Sequence, residues 1–231
     1  VVSSSGATSA NVAASGTGVN TTISTQPSAT AANYCTSAAA TALTVAATAT
    51  NGSAFAYQWY SNTTASTSGG TAVGTNSTSY TPVTTSNGTL YYYCVVSGCG
   101  TAATSNVSGA IASNPCVNIS NGSTTLTGDV NFYDSGGSGA AYSNNETYTY
   151  TVNPSSCNNV KITFSSFNTE ASYDYLYVYN GNSTSAAQVA GSPFNGTSLP
   201  SAITSSAVDG SLTFKFTSDG STTPAGWAAV L

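Results

Sequence analysis

FSSFNTEASYDYLYVYNG, residues Phe164 to Gly181, is the stretch from which the fold can be read. Residues alternate strictly from Tyr173 to Tyr179. This sets Tyr173, Tyr175, Tyr177 and Tyr179 on one face of a strand and Asp174, Leu176 and Val178 on the other. The Leu/Val row is the core face, and the tyrosine row is wet or docked against a partner. Asp174 opens the core-facing row and Glu170 precedes it by four residues in a connecting loop, so two carboxylates converge at the rim of a sheet. That arrangement suits a cation.

Composition limits the chemistry. The chain has no His, five Cys, two basic residues (Lys161 and Lys215) and seven acids, for a net charge of −5. Without His, nucleophilic triads with a histidine base and His-bearing zinc sites are excluded, and the expectation is a non-enzymatic protein. Without clustered Lys and Arg, nucleic acid is not an expected partner. The 15 Tyr, 7 Phe and 2 Trp fall in alternating runs and supply apolar area for packed cores. No run approaches the ~18 consecutive apolar residues of a membrane helix, so no membrane span is expected. The cysteine spacing is that of small secreted modules, which points to an extracellular or cell-surface location.

Residues 1–22 read as an arm or orphan strand rather than a domain. The piece from Ala7 to Gly16 resembles Ala103 to Ala110, which closes the following segment. It is therefore a closing strand without its own domain, a strand that adds to a neighbouring copy, or a flexible Ser/Thr/Gly leader.

Residues 23–114 read as a small β-sandwich. Its expected strands are Ala42 to Ala47, Phe55 to Tyr60 (FAYQWY), Ser79 to Val83, Thr89 to Val96 (TLYYYCVV) and Ala102 to Ala112, punctuated by Asn51-Gly52, Gly69-Gly70 and Asn87-Gly88. YQWY followed by TLYYYCVV resembles strands C and F of immunoglobulin-like domains, with Trp59 as the core tryptophan, and is similar to the Ig-like repeats of large secreted bacterial proteins. No Cys occupies the middle of the expected strand B, where Val45 and Ala47 stand. Within that resemblance a Cys35–Cys99 bridge is the first expectation, Cys35–Cys94 the second, and Cys94 the free thiol.

Asn114-Pro115 marks the boundary to a third segment, 115–231. FYDSGG (Phe132 to Gly137), Tyr142, Cys157, VKITFSSF (Val160 to Phe167), Glu170, YDYLYVYNG (Tyr173 to Gly181), SLTFKFTSDGS (Ser211 to Ser221) and GWAAVL (Gly226 to Leu231) occur in the order of a CUB domain, which this segment resembles. The resemblance implies a two-layer jelly-roll sandwich of an extracellular protein and a Cys116–Cys157 disulfide. It also implies a Ca2+ site made by Glu170, Asp174 and Asp219, completed by a backbone carbonyl near Gly220 or Ser221, with Tyr142 orienting a ligand carboxylate. A hard cation takes about six to eight oxygens, and three carboxylates brought together without one repel each other. Asp209-Gly210 reads as a hairpin turn.

The whole is thus expected to be all-β, an Ig-like sandwich followed by a CUB jelly roll. Two functions fit. One is a structural or adhesive extracellular subunit that associates with itself head to tail into a filament through the N-terminal strand. The other is an accessory substrate- or glycan-binding module of a secreted hydrolase. The tyrosines at 173, 175, 177 and 179 are a candidate surface for sugars or a protein partner, set against plain cross-strand aromatic pairing.

Overall fold

The computed structural model describes residues 20–49, 54–98 and 100–231. The Ala7–Gly16 segment, Asn51-Gly52 and Cys99 lie outside them. The first ten strands are β1 (Thr21–Thr25), β2 (Ala32–Cys35), β3 (Leu43–Thr44), β4 (Ala46–Ala49), β5 (Ala56–Asn62), β6 (Thr71–Val73), β7 (Ser79–Tyr80), β8 (Gly88–Ser97), β9 (Ala103–Thr104) and β10 (Ile111–Asn114). Nine more follow: β11 (Cys116–Asn118), β12 (Gly122–Leu126), β13 (Asn131–Tyr133), β14 (Thr147–Pro154), β15 (Lys161–Asn168), β16 (Tyr175–Tyr179), β17 (Ile203–Thr204), β18 (Leu212–Thr217) and β19 (Gly226–Val230). Among the described residues a single 3-10 turn, Gly137–Gly139, is the only helical element, and the chain is all-β.

The chain divides into two compact units. The first holds residues through Ser28, Leu43–Tyr80 and Tyr91–Ser108. Here β5 runs antiparallel between β6 and the Tyr91–Ser97 part of β8, which also pairs with β9; β1 pairs with β4 and β3 with β7. Trp59 lies fully buried opposite Cys94 in the β5–β8 register. Its indole Nε1–H donates to the Ser77 carbonyl at 3.0 Å, so the one polar atom of the ring is satisfied. Tyr80 lies between Trp59 and Tyr92, with ring centroids 6.1 and 5.4 Å away. Burial pushes the Cys94 thiol up to about 11, so it is a protonated core group and not a nucleophile.

The second unit holds Ala29–Ala42, Thr81–Leu90 and Gly109–Leu231. β2 runs parallel to β10, and β10 pairs antiparallel with Gly88–Leu90. From β11 onward two sheets form a sandwich, one ordered β11-β13-β19-β15-β17 and the other β12-β14-β18-β16. The alternation of LTFKFT in β18 explains why: Leu212, Phe214 and Phe216 are fully buried while Lys215 and Thr217 face outward. Phe132 packs on Phe214 and Trp227 with centroids 5.0 and 6.0 Å away, and Phe216 meets Trp227 at 5.1 Å. Each such ring contributes about 1.5–3 kcal/mol by leaving water.

Two sequence expectations are corrected here. Cys35 is bonded to Cys116, with Cα atoms 5.3 Å apart, not to Cys99 or Cys94, and Cys116 is not bonded to Cys157, which is free and exposed. The reason is the parallel register: Cys35 pairs with Asn114, so the turn at Pro115 brings Cys116 beside it. The tyrosine row also starts later than alternation implied. The chain turns back at Ser172 (φ 69°), so Tyr173 is an exposed turn residue, 60% accessible, and β16 begins at Tyr175. Tyr175 and Tyr177 are half-buried and Tyr179 is buried, so the row is not four exposed rings.

Candidate metal centre at the acidic rim

Topology assembles the acidic rim. β16 and β18 are antiparallel with Tyr175 opposite Thr217, so Asp174, one residue before β16, faces the chain just beyond β18, where Asp219 lies. Glu170 follows β15 in the same turn, and the Asp174 N–H donates to the Glu170 carbonyl at 3.1 Å. One carboxylate oxygen from each of Glu170, Asp174 and Asp219 falls within 4.8 Å of the others. The three acids picked from sequence are thus brought together.

Asp174 is fully buried and tightly held. Its Oδ2 accepts the Tyr142 hydroxyl at 2.5 Å and its Oδ1 accepts the Asp219 N–H at 2.8 Å. The Tyr142 oxygen in turn accepts the Glu170 N–H at 3.0 Å, so one buried tyrosine fixes two of the three acids. Burial, followed by the bond to Asp174, pushes the Tyr142 phenol above its ordinary range. Asp219 is shaped by its own turn, its Oδ1 accepting the Ser221 N–H at 2.9 Å. Ser221 is exposed and reaches the rim through that backbone bond.

Glu170 carries the unresolved electrostatics. Its Oε2 is buried without a hydrogen-bond partner. Desolvation, and then the negative charges of Asp219 and Asp174, hold its carboxyl above the usual carboxylate range. The three carboxylate oxygens are hard donors, which suit a hard cation better than a soft metal.

A second acid, Asp134, escaped the sequence reading. It is fully buried, its Oδ1 accepting Gly136 N–H at 2.8 Å and its Oδ2 accepting Trp227 N–H at 3.0 Å, and so it ties the DSGG turn to the start of β19. A Cβ on Gly226 would stand 2.0 Å from Asp134 Oδ2, and Gly226 has φ 70°. The DSGG phrase held the signal, but its partner is 93 residues away. Desolvation raises the Asp134 carboxyl to about 6 against the opposing pull of those N–H groups. Ser135 donates nearby to Glu146. Asp209 behaves as expected of a turn, accepting from Ser211 N–H and Oγ–H, with Gly210 at φ 69°.

Residues 122–231 match the family model of the CUB domain, and this part of the chain is a CUB domain. Among solved structures the chain is similar to the CUB1-EGF-CUB2 domain of human MASP-1/3, at 21% identity over 49% of this chain and 42% of that one, with a TM-score of 0.40. It is also similar to the MASP-1 CUB2 domain bound to Ca2+ (21% identity, 48% and 96% covered, TM-score 0.39). A third likeness is to a carbohydrate-binding module of the β-sandwich superfamily (9% identity, 92% and 94% covered, TM-score 0.31). The chain spans under half the length of the human MASP-1/3 fragment. A search of curated proteins found no match.

Proposed function

We propose that the chain is a non-enzymatic extracellular binding or adhesive module whose CUB rim is pinned by Ca2+. The observation that carries this reading is the buried, unpartnered Oε2 of Glu170 within a cluster completed by Asp174 and Asp219. These three would hold the ion, with Tyr142 keeping Asp174 and the Glu170 backbone in place. When bound, Ca2+ supplies the positive charge that the three carboxylates lack, and the loops bearing them become a fixed docking edge for a partner. The absence of His leaves no histidine base for a nucleophilic triad, which supports a non-enzymatic role. The first unit, read as Ig-like, then serves as a spacer.

Terbium luminescence tests the ion site, since Tyr142 is placed to sensitise a lanthanide at the rim. A signal displaced by Ca2+ and lost in Asp219→Asn is expected. A signal unchanged by that variant would defeat the proposal. The oligomeric part of the reading, strand donation by Ala7–Gly16 into a neighbouring copy, rests on the likeness of that segment to Ala103–Ala110. Deleting residues 1–19 is expected to abolish filaments in electron micrographs while both units stay folded.

A further inference from the structure

The outward face of the β12-β14-β18-β16 sheet carries a second constellation, separate from the acidic rim. Along β16, Leu176 and Val178 enter the core, leaving Tyr175, Tyr177 and Tyr179 on the other side with ring centroids 6.0 and 6.5 Å apart. Register sets Thr217, Lys215 and Thr213 of β18 beside these three rings, and Thr147, Thr149 and Thr151 of β14 beyond them. The Lys215 ammonium lies 5.8 Å from the Tyr177 ring centroid. All seven acids of the chain lie outside these four strands, so Lys215 is the one formal charge they carry. Lys215 is one of two basic residues in a chain of net charge −5, and the nearest acids in sequence, Glu146, Asp174 and Asp219, stand just beyond the strand ends.

We propose that this face binds an acidic polysaccharide, with sugar rings laid on Tyr175 and Tyr177 and a uronate carboxylate paired to Lys215. A tyrosine ring meets the C–H face of a pyranose at little entropic cost, and the hydroxyls of Thr147, Thr149 and Thr217 suit sugar hydroxyls, whereas the buried Thr213 hydroxyl is taken up by the Gly181 carbonyl and by Thr151. The charge selects the anion, but one half-exposed ammonium is a weak anchor by itself. The rings must therefore supply the rest, which favours a sugar chain over an acidic peptide. None of the three rim carboxylates takes part, so this site stands or falls apart from Ca2+ binding.

Isothermal titration of the full chain in chelator, with a galacturonate oligomer, its fully methyl-esterified form and polyglutamate, tests the assignment. Binding of the acid form is expected to weaken about tenfold in Lys215→Met and at least as much in Tyr177→Ala, with recovery in Lys215→Arg and no change in Asp219→Asn. The ester and polyglutamate are expected to bind weakly or not at all. Equal binding of acid and ester, equal binding of polyglutamate, no binding of the oligomer, or indifference to both substitutions would overturn the proposal. Thermal melting of each variant separates a lost contact from a lost fold.

Discussion

Replacing Asp174 with Asn is the sharpest probe of the rim, because it changes charge while keeping shape. On the proposed reading, Ca2+ at about 100 times its dissociation constant stabilises the native protein by about 2.7 kcal/mol. At roughly 2–4 °C per kcal/mol for a chain of this size, that is a rise of about 5–11 °C in the unfolding temperature. Without the ion the substitution works in two directions. It weakens the charge-assisted bonds from Tyr142 and Asp219 N–H, about 1.5–3 kcal/mol each at full loss. It also removes one of the charges that hold the Glu170 carboxyl up. The two effects oppose each other, so each protein's melting is compared with its own apo form. The Ca2+-dependent rise should vanish. The assay is calorimetry of both proteins in chelator and across a Ca2+ series. If the variant keeps the native Ca2+ shift, Asp174 is not a ligand and the rim is only a hydrogen-bonded turn. If native protein shows no shift at any concentration, the site itself is refuted.

Further outcomes follow from other features. Gly226→Ala combines a positive φ with a Cβ placed 2.0 Å from Asp134 Oδ2, and should cost about 3 kcal/mol or more, read as a lowered urea midpoint. Cys35→Ser opens a crosslink of sequence separation 81 and should cost about 4 kcal/mol by chain entropy; non-reducing peptide mapping should recover a Cys35–Cys116 pair with Cys157 alkylated. Asp134 titrates higher when folded than its ordinary value of 3.8, so its contribution is present at low pH and is lost as pH rises through about 6. In chelator, native protein should therefore gain stability on acidification from pH 7 toward 5, and a gain of the same size in Asp134→Asn would assign the effect elsewhere.

Alternation made the CUB strands legible, because each buries one face: VKITFSSF and SLTFKFT place Ile162, Phe164, Phe214 and Phe216 in the core where period two puts them. Trp59 was legible from the likeness of YQWY to strand C of an Ig-like domain. The three acids of the rim came from a family likeness plus their scarcity in the chain. What could not be read was non-local or lay in turns. Cys35 meets Cys116 only because β2 pairs parallel with β10, and parallel pairing leaves no local trace. Tyr173 continues the alternating pattern on paper, yet the Glu170–Asp174 backbone bond bends it out of the strand. Asp134 is a loop acid by sequence, and its burial depends on where β19 returns.

The Cys35–Cys116 bond has a mechanical consequence. Covalently it closes residues 36–115 into a ring, so tension entering the backbone before Cys35 and leaving after Cys116 passes through sulfur. Strands β5, β6, β8 and β9 around Trp59 lie wholly within that ring and cannot be pulled out lengthwise while the bond is intact. Under load the chain lengthens only outside the ring, and reduction of one bond would release the hidden length.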